Sequence, residues 1–162
     1  MALETFTLSD KKFSLRRAVE SDLAAILELL ANDPIRQRET ASGTIDPHHY
    51  LKAFRTIDTD PAQILIVVID KVDCVVGTMQ LTLIPGLTRA GATRLNIEAV
   101  RVDERNRGNG LGTAMLKWAI AEGSRRGARL VQLTSDNARD DAHRFYERLG
   151  FSPSHTGFKL VI

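Results

Sequence analysis

Apolar residues recur along this chain with two periods, and the switches between them mark out its elements. Leu23, Ile26, Leu27 and Leu30 stand at helical spacing behind Ser21 and Asp22. They predict a helix that ends at Pro34, preceded by a strand around Phe13 to Arg17. Ile35 to Ile45 is polar and irregular, and Asp46-Pro47 then reads as a cap followed by a first-turn proline, opening a helix to about Ile57. Ala62 to Ile69, rich in Ile and Val, is a buried type of strand, and a turn at Asp70 to Asp73 follows it. From Val75 to Leu83 the period is two, with Met79, Leu81 and Leu83 alternating with Thr78, Gln80 and Thr82. Pro85-Gly86 opens a loop, and Arg94 to Val102 is a third strand. A helix is predicted from Leu111 to Arg126, stopped by Gly127, and another from Asp140 to Leu149, stopped by Gly150. Between them lies a strand at Leu130 to Thr134, and Phe151 to Ile162 is expected to hold two short strands. This order predicts an α+β domain with a mixed, mostly antiparallel sheet flanked by helices, spanning residues 1–162 as one unit.

The third strand changes phase. Leu95, Ile97 and Ala99 are apolar at odd positions, and the apolar set then continues at Val100 and Val102. A regular strand cannot keep one face on the core through that change. One extra residue near Ala99 or Val100, a β-bulge, restores the phase and splays the strand from its neighbour. Backbone amides left unpaired beside such a splay can bind a carbonyl or amide ligand. Burial of both strand faces would also account for the pattern.

Directly after this strand comes Asp103-Glu104-Arg105-Asn106-Arg107-Gly108-Asn109-Gly110-Leu111-Gly112-Thr113, and then the helix. Glycines at alternate positions remove the Cβ atoms that would block approach to the backbone. Successive N–H groups can then line one concavity, and the helix adds its free N-terminal amides and the positive end of its dipole. Arg105 and Arg107 add fixed charge, so the expected ligand is a phosphate or pyrophosphate. A Walker A loop needs a lysine before its Ser or Thr, and Gly112-Thr113 has none. A dinucleotide fingerprint needs glycine gaps of one and then two, whereas these are one and one. That reading keeps weight, because the turn joins a strand to a helix and Asp136 follows the next strand. Arg105, Gly108 and Gly110 match a third pattern: Gln or Arg, two residues, Gly, one residue, then Gly or Ala.

With these residues the chain resembles the GNAT superfamily, the Gcn5-related N-acetyltransferases. The resemblance runs from the strand at Arg94 through Phe151, and the upstream element order is compatible with it. It implies a GNAT-like sheet splayed at the bulge, acetyl-CoA as cosubstrate, and no metal. Val100, Arg101 and Val102 take the positions that bond the pantetheine arm and the acetyl carbonyl. Arg105, Asn106, Arg107, Gly108, Asn109 and Gly110, with Gly112 and Thr113 at the helix start, take those that bind pyrophosphate. Tyr146, in Phe145-Tyr146-Glu147-Arg148-Leu149-Gly150-Phe151, matches the tyrosine that assists the leaving thiolate. With a tyrosine near ~10 and a thiol near ~8.5, full proton transfer is uphill by roughly 2 kcal/mol, so a strengthening hydrogen bond is the safer role. A tyrosine packed in the core, its hydroxyl satisfied, is the plainer reading of that residue. Relatives often place Asn where this chain has Arg139; either nearby Asn137 substitutes, or Arg139 reaches a phosphate. Glu98, just upstream of the bulge, matches a general base that acts through water, and is otherwise an ordinary solvated carboxylate.

Composition narrows the partners. Hydrophobic residues make up 43% and charged residues 26%, and the formal charge is +2 with Lys and Arg spread along the chain, so no basic stripe marks a nucleic-acid face. No apolar run approaches the ~20 residues of a membrane span, and Met1 to Thr5 does not read as a secretory signal. The single cysteine, Cys74, suits a reducing compartment and reads as a small core residue; a cytoplasmic protein is expected. His48 and His49, being adjacent, share no helix face, and no partner at ligand spacing suggests zinc. The expected acceptor is a small-molecule primary amine, with a protein or peptide amine, or a non-catalytic acyl-CoA-binding module, as the alternatives. Arg139 through His155 also resembles aminoalkylphosphonate acetyltransferases over a short stretch. Arg36, Arg38 and Glu39 lie where relatives select the acceptor, although an ordinary solvated loop is the plainer reading of them, and the resemblance implies a homodimer.

Overall fold

A computed structural model describes residues 1–33 and 46–162. The expected irregular stretch Ile35 to Ile45, with Arg36, Arg38 and Glu39, lies outside them. Six strands form one sheet in sequential order: β1 (Glu4–Leu8), β2 (Lys11–Arg17), β3 (Gln63–Ile69), β4 (Val75–Ile84), β5 (Thr93–Val102) and β6 (Ala128–Leu133). All neighbours are antiparallel except β5 and β6, which are parallel. A parallel neighbour requires a crossover, and helix α3 (Leu111–Arg125) supplies it. Among the described residues, the other helices longer than a single turn are α1 (Leu23–Ala31), α2 (Pro47–Thr59) and α4 (Asp140–Arg148).

The local chemistry explains most boundaries. Asp46 Oδ1 accepts from His48 N at 2.9 Å, capping α2 with Pro47 in its first turn. Gly127 and Gly150 take positive φ just beyond α3 and α4. Helix α1 begins at Leu23, one residue after a three-ten turn at Glu20–Asp22. Asp22 is buried there, accepting from Val19 N and bidentately from Arg16.

The larger core lies between the sheet and α3. Phe13, Leu15, Ile64, Ile66, Met79, Leu81, Leu95 and Ile97 meet Leu111, Met115, Leu116 and Ala119, all almost fully buried. Phe145, Tyr146 and Leu149 of α4 pack on its margin. A smaller cluster of Ala18, Ile26, Phe54 and Val67 joins α1 and α2 to the sheet.

Three expectations need correction. The first strand is β1, which pairs as a hairpin with β2; its residues alternate too weakly to announce it. Phe151 to Ile162 forms no strand, and residues 152–162 are exposed throughout. Cys74 is exposed at the end of the Asp70 turn, where its amide bonds Asp70 Oδ1, so it belongs to no core.

Candidate active site

The expected bulge lies in β5. Thr78 pairs with Arg101 and Gln80 with Glu98, so Met79 alone faces both Ala99 and Val100. Ala99 takes a φ of 54°, the left-handed region that a side chain seldom occupies. This extra residue lets Leu95 and Ile97 stay buried while Val100 and Val102 rejoin the same core. It also coincides with the end of β5–β6 pairing, whose last partners are Ile97 and Leu133. Beyond Ile97 the two parallel strands part, and the β6-facing backbone edge of Glu98 to Val102 borders an opening in the sheet.

The glycine turn closes one end of that opening. Asp103 N bonds Val76 O at 2.9 Å, anchoring the start of the turn to β4. Gly108 and Gly110 have φ of 76° and 80°, and Gly110 is the N-cap of α3. Among the described residues, no acceptor is found for the amides of residues 108–113, whereas Ala114 N bonds Gly110 O. Six consecutive donors are thus available at a helix N-terminus, and a Cβ on Gly108 or Gly110 would meet nothing within 4 Å. Such a cradle fits a pyrophosphate. A Cβ on Gly112 would lie 3.5 Å from Phe145 Cζ on α4, an ordinary van der Waals contact.

The arginines of the turn are partly engaged. Arg105 folds back on Asp103, its Nε on Oδ1 and Nη2 on Oδ2, each at 3.0 Å. That bonding holds the Asp103 carboxyl below its ordinary range. Arg107 Nε donates to Val102 O, which ties the turn to the strand end. Asn109 and Thr113 are half-buried within the turn and the first helical residues.

Tyr146 stands on α4 between two rings, with centroids 5.3 Å from Phe145 and 5.9 Å from Phe151. Burial raises its phenol above the ordinary value, opposed by the charges of Arg101 and Arg139. Its hydroxyl finds no hydrogen-bond partner among the described residues. Glu98 is exposed beside the bulge and accepts from Asn96 Nδ2 at 2.8 Å.

One participant carries no local signal. Asp33, its side chain 1% exposed, accepts from both Arg101 Nη2 and Arg139 Nη2 at 2.5 Å. The carboxylate draws together the bulge and the N-terminus of α4, from 68 and 106 residues away. Arg139 is thus held on a carboxylate, and Asn137 is exposed in the preceding loop. His143 and His155 stay local: the first contacts Asp136 O, the second Ser154 Oγ.

Known proteins share this fold. A solved structure of a transcriptional regulator from Bacillus halodurans C-125 superposes with a TM-score of 0.86 at 39% identity, over 93% of this chain and 99% of that one. An acetyltransferase from Trypanosoma brucei gives 0.74 at 28% identity, over 93% and 99%. Aminoalkylphosphonate N-acetyltransferase from Salmonella typhimurium is 44% identical over 56 residues, 35% of this chain and 36% of that enzyme; the match thus spans about a third of the relative's length. Residues 23–151 match the acetyltransferase (GNAT) family as a whole, and no helix among the described residues is long and apolar enough to cross a membrane. With its bulged β5, its glycine turn and this match over most of its length, the chain belongs to the acetyltransferase (GNAT) family.

Proposed function

We propose that this protein moves an acetyl group from acetyl-CoA to a primary amine of a small molecule, by direct attack within a ternary complex. The observation that carries the reading is the run of unengaged amides at residues 108–113, set beside a strand that has parted from its neighbour. Those amides would hold the pyrophosphate, with Arg105, Asn106 and Arg107 at its rim. The free edge of Val100 to Val102 would bond the pantetheine arm and orient the acetyl carbonyl. Holding amine and thioester together removes much of the entropic barrier to their reaction. As the C–N bond forms and the C–S bond breaks, the sulfur gains charge. The Tyr146 hydroxyl would donate a hydrogen bond that strengthens with that charge. Glu98 would accept the ammonium proton through a water, its exposure allowing one to stand between them.

The same setting supports an acceptor that carries an acidic group. Arg101 and Arg139, both bonded to the buried Asp33 carboxylate, set two positive charges near the Tyr146 phenol. An amine bearing a phosphonate or carboxylate is the complementary partner. The local likeness to an aminoalkylphosphonate N-acetyltransferase points the same way.

A thiol-release screen with acetyl-CoA tests both statements. Aminoalkylphosphonates and amino acids are expected to turn over faster than uncharged amines of equal size. Release with none of a panel of amines, peptides and aminoglycosides, despite acetyl-CoA binding, would identify a non-catalytic binding module instead. Glu98→Gln is expected to slow turnover most at low pH; an unchanged pH–rate profile would remove Glu98 from the mechanism.

A further inference from the structure

Past Ile97 and Leu133 no ladder joins β5 to β6, so the bulged end of β5 and the helix that carries Tyr146 stand on either side of an opening. Among the described residues, Asp33 is the side chain that bonds to both. It lies two residues beyond the end of α1, with its side chain 1% exposed, and accepts from Arg101 Nη2 and Arg139 Nη2, each at 2.5 Å. Each arginine carries the tie onward. Arg101 Nη1 donates to Val100 O at 2.7 Å, so the guanidinium that Asp33 holds also fixes a carbonyl of the bulge. Arg139 is the N-cap of α4, where His143 N bonds its carbonyl at 3.0 Å, and Tyr146 follows about two turns further along. A buried ion pair recovers little beyond the cost of its own desolvation, so stability alone gives no reason for this one; what such a pair can fix is geometry. The strand beside it has geometry to fix. Ala99 holds a φ of 54°, and a left-handed alanine persists only where its surroundings hold it there.

We infer that Asp33 is a positioning residue for the transfer: through Arg101 it holds the bulge, and through Arg139 the tyrosine helix, at one separation across the opening in the sheet. Its bearing on the reaction rests on the acetyl-transfer reading above, while the tie itself rests on the three side chains. In that reading the strand edge orients the acetyl carbonyl, and Tyr146 serves the sulfur bonded to the same carbon. The two elements must therefore be set against each other, and packing each on the core separately does not do this. A misplacement of reacting groups by about 1 Å costs on the order of 100-fold in rate. Asp33 acts only through its two arginines, and the amides of residues 108–113 have no bond to it. Its loss should therefore spare the anion cradle and spoil the alignment.

The test has one arm that needs no turnover. In amide NMR spectra of the full chain, Arg139→Gln is expected to shift the resonances of Ala99 to Val102, across the opening, and to leave those of β3 in place. In the Asp33→Asn chain the same change should leave residues 99–102 where they were, because the connecting carboxylate charge is gone. The second arm is kinetic. Asp33→Asn should lower kcat by about 10- to 100-fold, while calorimetry still finds one CoA bound per chain with Kd within about threefold. Full binding stoichiometry separates this result from a mere loss of folded protein. Adding Arg139→Gln to Asp33→Asn should lower kcat by no more than about a further threefold, since both changes break one connection. Should Asp33→Asn not fold, Arg139→Gln alone decides, by its effect at residues 99–102. Unmoved resonances there overturn the inference, and so does a kcat of Asp33→Asn within about threefold of the unaltered protein, which would leave a structural ion pair. Were the unaltered chain to release no thiol with any amine, the acetyl-transfer reading would fall, and the NMR arm would still decide whether Asp33 couples the two elements.

Discussion

Replacing Gly108 and Gly110 together by alanine separates the anion cradle from the stability of the fold. Both glycines hold left-handed φ, 76° and 80°, and an added Cβ meets no atom within 4 Å. The folding penalty is therefore conformational alone, about 1–2 kcal/mol for each alanine held in that region. The pair should cost roughly 2–4 kcal/mol, or roughly 4–16 °C in Tm for a chain of this size. Gly127 supplies the control: its φ is 83°, its Cβ position is equally open, and it lies at the far end of α3. Gly127→Ala should lose about half as much stability and leave acetyl-CoA binding alone. In the double variant the amides either turn away or carry methyl groups into the cradle. Loss of two charge-assisted hydrogen bonds, each about 1.5–3 kcal/mol, weakens Kd by roughly 100- to 10,000-fold. Calorimetric titration with acetyl-CoA, beside thermal melts of all three proteins, measures both quantities. Binding within about threefold of the unaltered protein, with the expected fall in Tm, would refute the cradle.

Tyr146→Phe should lower kcat by about 10- to 100-fold while leaving KM for acetyl-CoA within about threefold, because the hydroxyl acts only as sulfur gains charge. Burial raises the phenol above its ordinary value, so the folded protein keeps it protonated to higher pH than a free tyrosine. Any loss of kcat from tyrosine ionisation should then come at higher pH than the titration of a free phenol, which a pH–rate profile checks. Asp22→Asn should cost about 3–5 kcal/mol at pH 7 in urea unfolding, since it removes the charge that faces Arg16 and one of the two oxygens shared by Arg16 and Val19 N. The Arg16 hydrogen bonds lower the Asp22 pKa, so this contribution is present above the unfolded value near ~3.9 and fades as pH falls through the folded one; the two proteins should converge in acid. Gly123→Ala places a Cβ 2.8 Å from Leu95 Cδ2 in the core and should cost about 1–3 kcal/mol, partly recovered by Leu95→Val, as melting of the three variants would show.

What the amino-acid order determined by itself is what depends on neighbours along the chain. The bulge was legible because side chains on a strand must alternate, and the step from Ala99 to Val100 breaks that alternation. The glycine turn was legible because left-handed backbone and close approach call for glycine at particular positions, and the α2 cap because Asp46 reaches only two residues ahead. The tertiary structure alone decided what joins distant segments. Asp33 has no feature in its own surroundings that ties it to Arg101 and Arg139, and only the packing of α1 and α4 about the splayed strand makes it their common partner. Burial is likewise a property of the whole fold: it left Cys74 in water and Glu98 uncovered although both stand in or next to strands. The segment after Gly150 shows the limit most plainly. Its alternation expresses a capacity to pair, but a strand exists only where a neighbouring edge accepts its hydrogen bonds, and the order of residues does not say which edge that is.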